Sequence, residues 1–188
     1  AGNFNPQIQD LNFAGLAHAI QIDSCLLQVH GNINLSNLVH FDAKLKMQLV
    51  GSGTCSIQCN GANMPDLIHS KYGNIQLLDN YLGTSIHFYN GTLLTNNFNI
   101  NLIGALKAGP NYNGNASFYF GTSTIVCDSI VVDLVNGNPN LNTGFYADSA
   151  TVNAAGYLYC KSAGSMFGNV TCPEFNCDYA QITEITTS

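Results

Sequence analysis

Short runs in which apolar and polar residues alternate, each closed by a Gly, Asn or Pro break, recur along almost the whole chain. The longest is Phe41-Asp42-Ala43-Lys44-Leu45-Lys46-Met47-Gln48-Leu49. There Phe41, Ala43, Leu45, Met47 and Leu49 point one way, and Asp42, Lys44, Lys46 and Gln48 the other. A period of two is the spacing of a strand with one wet face. Residues 97–102 alternate likewise, and 123–135 is apolar on both faces in places, which predicts a strand near the centre of a sheet. Gly31-Asn32, Asn60-Gly61, Asn90-Gly91, Gly109-Pro110, Asn113-Gly114 and Asn136-Gly137-Asn138-Pro139 separate the runs and read as turns. Strong helix formers are scarce. Helical spacing occurs once, at 11–20, with Asp10 as a candidate N-cap. Residues 1–19 are therefore expected to form an N-terminal arm or a short helix, and 20–188 a single all-β domain.

Two all-β architectures suit this pattern. The long alternating strand at 41–49 and the long run at 123–135 predict a β-sandwich or jelly roll over 20–145. The alternative is a β-solenoid, or parallel β-helix, which coils rung on rung. It fits best in a tail from about residue 144. There Ala150-Thr151-Val152-Asn153-Ala154, Tyr157-Leu158-Tyr159-Cys160, Gly168-Asn169-Val170-Thr171-Cys172 and 175–182 recur as short alternating pieces. Over 144–185 this tail resembles the repetitive stalk segments of viral and bacterial fibre proteins. The resemblance implies stacked rungs there and a place in a surface fibre or filament.

Composition narrows the chemistry. Only 9% of residues are charged, the formal net charge is −6, and the five positive charges are all lysine, with no arginine anywhere. A nucleic-acid binder needs a basic face, and five scattered lysines cannot make one. A bidentate clamp on phosphate or carboxylate needs arginine. A polysaccharide lyase acting on an acidic sugar is disfavoured for the same reason. No apolar run approaches the ~18 to 20 residues of a membrane helix, so no membrane insertion is expected.

Candidate sites are few. Asp128 and Asp133 stand five apart and would face opposite sides of one strand, which does not suit a glycosidase pair. The histidines at 18, 30, 40, 69 and 87 form no metal-binding doublet, and 51–55 is a glycine-rich turn without a phosphate-loop lysine. Catalytic residues, metals and cofactors are accordingly not expected. Seven cysteines leave at least one unpaired or linked to another chain. Cys55 and Cys59 share one face of a strand, too far apart to join. Cys172 and Cys177 are the candidate disulfide, closing a small loop round Pro173, while Cys25 and Cys127 read as plain buried residues. Asn34, Asn90, Asn115 and Asn169 begin glycosylation triplets and are candidate glycan sites, although with 25 asparagines some triplets arise by chance. Nine tyrosines, mostly beside Asn or Gly, suggest adaptable contact loops that could stack on sugars. In the N-terminal arm, Phe4 and Ile8 project from one face of an extended segment and Pro6 disfavours helix, so Phe4, Pro6 and Ile8 are candidate inter-subunit contacts.

Low charge, many cysteines and abundant Asn, Gly, Ser and Thr predict an extracellular, cell-surface or virion-surface protein. The expected role is a non-enzymatic structural subunit whose partners are copies of itself. The alternative is a carbohydrate-binding or host-attachment module, with glycans as partners, and a small secreted hydrolase is a third reading.

Overall fold

A computed structural model describes residues 5–23, 25–69, 73–109, 116–133, 144–162 and 165–178, and the backbone of 181–186. The chain is an all-β parallel β-solenoid of about 8 turns spanning residues 7–178. Each turn lays down one strand on each of three ladders. The first ladder stacks Gln7–Ile8, Leu26–Val29, Lys46–Leu49, Asp66–His69, Ile86–Phe88, Ala105–Ala108, 129–133, 157–161 and Glu174–Asp178. The second begins Leu11–Asn12, Ile33–Asn34, Thr54–Gln58, Asn74–Leu77, Gly91–Leu94 and Ala116–Tyr119, then takes in 144–147 and 166–167. The third pairs Ile20–Ile22 with Val39–Phe41. It resumes with Asn63–Met64, Tyr81–Gly83, Ile100–Leu102, 124–127, 151–154 and 169–171.

The expected sandwich or jelly roll does not form. Among the described residues every strand pair is parallel, and strands bond to segments one turn away rather than folding back on themselves in hairpins. The Gly and Asn breaks therefore mark corners, not hairpins. Neither of the two runs that suggested long sandwich strands is one straight strand. A turn at Ala43–Lys44 interrupts 41–49, leaving only Lys46–Leu49 as strand. Thr124–Asp133 is continuous, but its register shifts between Cys127 and Ser129, so it rounds a corner at Asp128 and serves two ladders. The helical spacing at 11–20 is likewise not used: Leu11–Asn12 and Ile20–Ile22 are strands, with a turn at Ala14–Gly15 between them.

Inward side chains form columns along the axis. Leu27, Met47, Leu67, Ile86, Leu106, Ile130 and Leu158 stand in register on the first ladder, all buried. On the third, Tyr81, Ile100, Ile125, Val152 and Val170 do the same. An aromatic spine joins the first and second ladders: His69–Phe88 at 4.6 Å, Phe88–Phe118 at 5.1 Å, Phe118–Phe145 at 5.5 Å and Phe145–Phe167 at 5.0 Å. Such ring pairs add about 0.5–1.5 kcal/mol each beyond their buried area.

Corners leave backbone groups that no ladder pairs, and Asn and Asp from an adjacent turn supply the partners. Asp79 accepts from the backbone N–H of Cys59 (2.7 Å) and of Asn60 (2.5 Å). Asn80 accepts from Asn99 N–H at 2.9 Å, and Asn99 in turn from Thr124 N–H at 2.8 Å. Asp10 accepts from Asn32 N–H and Asn32 from Ser56 N–H. Asn60, Asn96 and Asn97 also hold positive φ (50°, 54° and 67°), which Asn tolerates better than other side-chain-bearing residues. At the corner between the first and second ladders Gly91 has φ +89°, and a Cβ there would collide with the Gly73 carbonyl of the adjacent turn.

The facing expected for 41–49 holds for Leu45, Met47 and Leu49, which are buried, and for Lys44 and Lys46, which are exposed. It fails at Ala43, which the turn exposes, and at Phe41, which is half-buried. Leu45→Asp should therefore cost roughly 3 kcal/mol or more, by burying an unpaired carboxylate. Ala43→Asp should stay within about 0.5 kcal/mol of the parent. Urea unfolding of the two variants checks this, and equal midpoints would show the facing to be wrong.

Candidate functional site

Outward side chains stack as regularly as inward ones, so surface chemistry comes in stripes. Gln7, Gln28 and Gln48 are in register on the first ladder. Their amides form a ladder, Gln7 Nε2 to Gln28 Oε1 and Gln28 Nε2 to Gln48 Oε1, both at 2.9 Å. Farther along the same face the stripe turns aromatic. Tyr157 and Tyr159, two apart on one strand, project outward side by side. The register sets Glu174 beside Tyr157 and Asn176 beside Tyr159. With Val131 and Leu158 these four line a shallow cleft of about 280 Å³. Tyr157 is 40% exposed, and Glu174 and Asn176 are also exposed. Two phenol rings flanked by a carboxylate and an amide offer an apolar platform with polar groups at its margin. That arrangement can take an uncharged polyhydroxylated ligand by stacking and hydrogen bonding.

The second ladder carries another aromatic pair. Tyr119 and Tyr146 stack at 4.8 Å with ring planes 12° apart. Burial, and Tyr119 beside it, push the Tyr146 phenol above its ordinary value. Because these rings face each other, they present less free ring surface than the Tyr157 platform. The tyrosines of both clusters lie on strands rather than in the contact loops expected of them.

The other candidate residues are placed as follows. Ile8 is half-buried on the chain's own first strand, in register with Val29, and the Pro6 carbonyl accepts from Gln28 N–H at 2.9 Å. Phe4 and Asn115 lie outside the described residues. Asn34 is half-buried, and its Oδ1 accepts from Asn60 Nδ2 at 3.0 Å. Asn90 is half-buried at a corner, and Asn169 is exposed on a strand. Cys172 and Cys177 are not brought together. Both are free thiols, Cys172 before the corner at Pro173 and Cys177 on the strand Glu174–Asp178. Cys177 instead stands in register with Cys160 on the adjacent turn. Cys55, Cys59 and Cys127 are buried, and burial pushes each thiol up to about 12. Asp128 is exposed at its corner and Asp133 half-buried on the first ladder. Among the described residues no group of three or more His, Cys, Asp or Glu side chains is placed to hold a metal ion.

Sequence reasoning missed His69. It is 2% exposed, stacked on Phe88, and neither ring nitrogen has a hydrogen-bond partner of good geometry. Burial lowers its pKa to about 4, with the Gly73 backbone offsetting part of the effect. No sequence signal separates it from the four other histidines, except that it falls where the column through Val29 and Leu49 requires an apolar residue.

No protein-family model, curated protein or solved structure matches the chain.

The buried imidazole makes stability depend on pH. An unfolded His takes up its proton near 6.5, whereas His69 in the fold does so only near 4. Between those values the unfolded chain binds more protons, so stability is lost as the pH falls through that window, by at most about 3 kcal/mol. His69→Leu should flatten the dependence and raise stability at neutral pH, since it removes a buried polar group without a partner. Urea midpoints at pH 7 and pH 4 for both proteins provide the measurement.

Proposed function

We propose that the chain is a non-enzymatic building block of an extracellular fibre, filament or shell, on a cell or virion surface, and that it joins copies of itself head to tail. The observation that carries this reading is the outer edge of the first turn. The Pro6 and Ile8 carbonyls accept from Gln28 and His30 N–H at 2.9 and 3.0 Å. Backbone groups alternate sides along a strand, so those of Gln7, in the strand Gln7–Ile8, face away from the second turn. Among the described residues nothing pairs with them. In a parallel ladder one edge of a turn is complementary to the opposite edge of the next. A second copy can therefore continue the stack, and such heterologous contacts build open filaments. The strands of the first ladder span about 38 Å along the axis at about 4.8 Å per step, and the one further step onto the next copy makes the repeat about 43 Å. The low charge of 9% limits repulsion between copies.

Gln7→Pro tests this reading. It removes the outward N–H while keeping the inward bonds of Pro6 and Ile8, and Gln7→Ala, which also loses the amide bond to Gln28 but keeps the N–H, is the control and should still assemble. The parent should form filaments in negative stain with an axial repeat of about 43 Å. The Gln7→Pro variant should keep the same unfolding midpoint within about 0.5 kcal/mol but stay small in sedimentation. A parent that remains a monomer at high concentration would defeat the proposal.

A second reading, carbohydrate binding or host attachment, is favoured by the cleft of Tyr157, Tyr159, Glu174 and Asn176. On a glycan array, binding by the parent should fall about tenfold or more in Tyr157→Ala, the loss of one ring stack of about 1.4 kcal/mol. Equal binding by both proteins would remove this cleft from consideration.

A further inference from the structure

We propose that Cys160 and Cys177 form an intrachain disulfide that clips the turn ending at Asp178 to the one before it. Three observations point to this pair. They are in-register partners on adjacent parallel strands of the first ladder. Neighbouring strands lie about 4.8 Å apart, inside the ~4.4–6.8 Å Cα window of disulfides. Both side chains share the inward face: Cys160 is fully buried, and Cys177 is half-buried and packed against the core. The two thiols also perturb each other's ionisation, lowering the Cys160 pKa and raising that of Cys177, as groups in close proximity do.

None of the other cysteines has a cysteine as its register partner. Cys55 stands opposite Ile75 and Cys127 opposite Ala154. The Cys55 thiol donates to the Gly31 carbonyl, and Cys172 is separated from Cys177 by the corner at Pro173.

The chemistry requires an oxidant, here a small-molecule disulfide such as oxidised glutathione. The Cys177 sulfur is the more accessible of the two, and as the thiolate it attacks one sulfur of the oxidant. The other half leaves as a thiolate and takes up a proton. The Cys160 thiolate then attacks the Cys177 sulfur and expels the second half. Two protein thiols and one small disulfide thus become one protein disulfide and two small thiols. The neighbouring Cys177 thiol favours the Cys160 thiolate, lowering that pKa, while Cys160 and burial hold the proton on Cys177. The second step is thereby assisted. The first is restrained, so the overall rate should rise with pH.

The test is peptide mapping of the full chain after incubation with oxidised glutathione under native conditions. The protein is then unfolded and alkylated without reduction. A linked peptide pair holding Cys160 and Cys177, two hydrogen masses lighter than the separate peptides, should dominate, with both residues lost from the alkylated set. Cys160→Ser should return Cys177 to the alkylated set without creating another link. The proposal is overturned if both cysteines of the parent remain alkylated or each carries glutathione. It is equally overturned if Cys177 is found joined to Cys172, another cysteine or a second chain.

Discussion

Every side chain on a ladder stands about 4.8 Å above the side chain one turn below it and points the same way. Most of this molecule follows from that one constraint. Like must tolerate like in a column, and apolar residues, amides and stacked rings do so favourably. The Leu27 to Leu158 column, the Gln7–Gln28–Gln48 amide ladder and the Tyr119–Tyr146 stack are three answers to the same geometry. Like charges would repel at that spacing. Where two formally charged residues do meet in register they are of opposite sign: Lys46 with Asp66, and Lys161 with both Asp133 and Asp178. A chain with 9% charged residues and no arginine is what such stacking selects.

Corners impose the second demand. The ladders satisfy backbone groups within strands, and a parallel fold has no hairpins to satisfy those between them. A short side chain with an acceptor at its tip, reaching to an adjacent turn, solves this. Asp10, Asn32, Asp79, Asn80, Asn97 and Asn99 all do so. The abundance of asparagine is thus structural in large part. Asn34 shows how this bears on surface chemistry: its amide is engaged by Asn60, although its triplet also marks it as a glycan acceptor.

The column rule is broken at His69, and the cost appears as a depressed pKa and ring nitrogens without a well-formed hydrogen bond. It is met in an unusual way at Cys160 and Cys177, where like on like permits a covalent bond. On the outside, the Tyr157 platform and the Gln7 edge arise from the same stacking. A repeating interior therefore supports either an assembly surface or a ligand stripe without altering the core.

The all-β class could be read directly, because alternation and turn residues are local properties of the chain. So could the inward facing of Leu45, Met47 and Leu49, and the idea of stacked rungs in the tail. The identity of the pairing partner could not. Alternation says which face is buried but not whether the neighbour is the next strand or the strand one turn on. The repeat that would have told them apart is obscured by its own length. Val29 stands on Ile8, Leu49 on Val29, His69 on Leu49, Phe88 on His69 and Ala108 on Phe88, in steps of 21, 20, 20, 19 and 20 residues. The next steps, to Val132, Cys160 and Cys177, are 24, 28 and 17. Corners absorb such differences freely, so the spatial period stays constant while the sequence period drifts. For the same reason Cys177 has Cys160 as its register partner, 17 residues away, and Glu174 and Asn176 meet Tyr157 and Tyr159 only across the ladder. Local chemistry depends on neighbours in sequence, whereas partners in a solenoid are chosen by register one turn away.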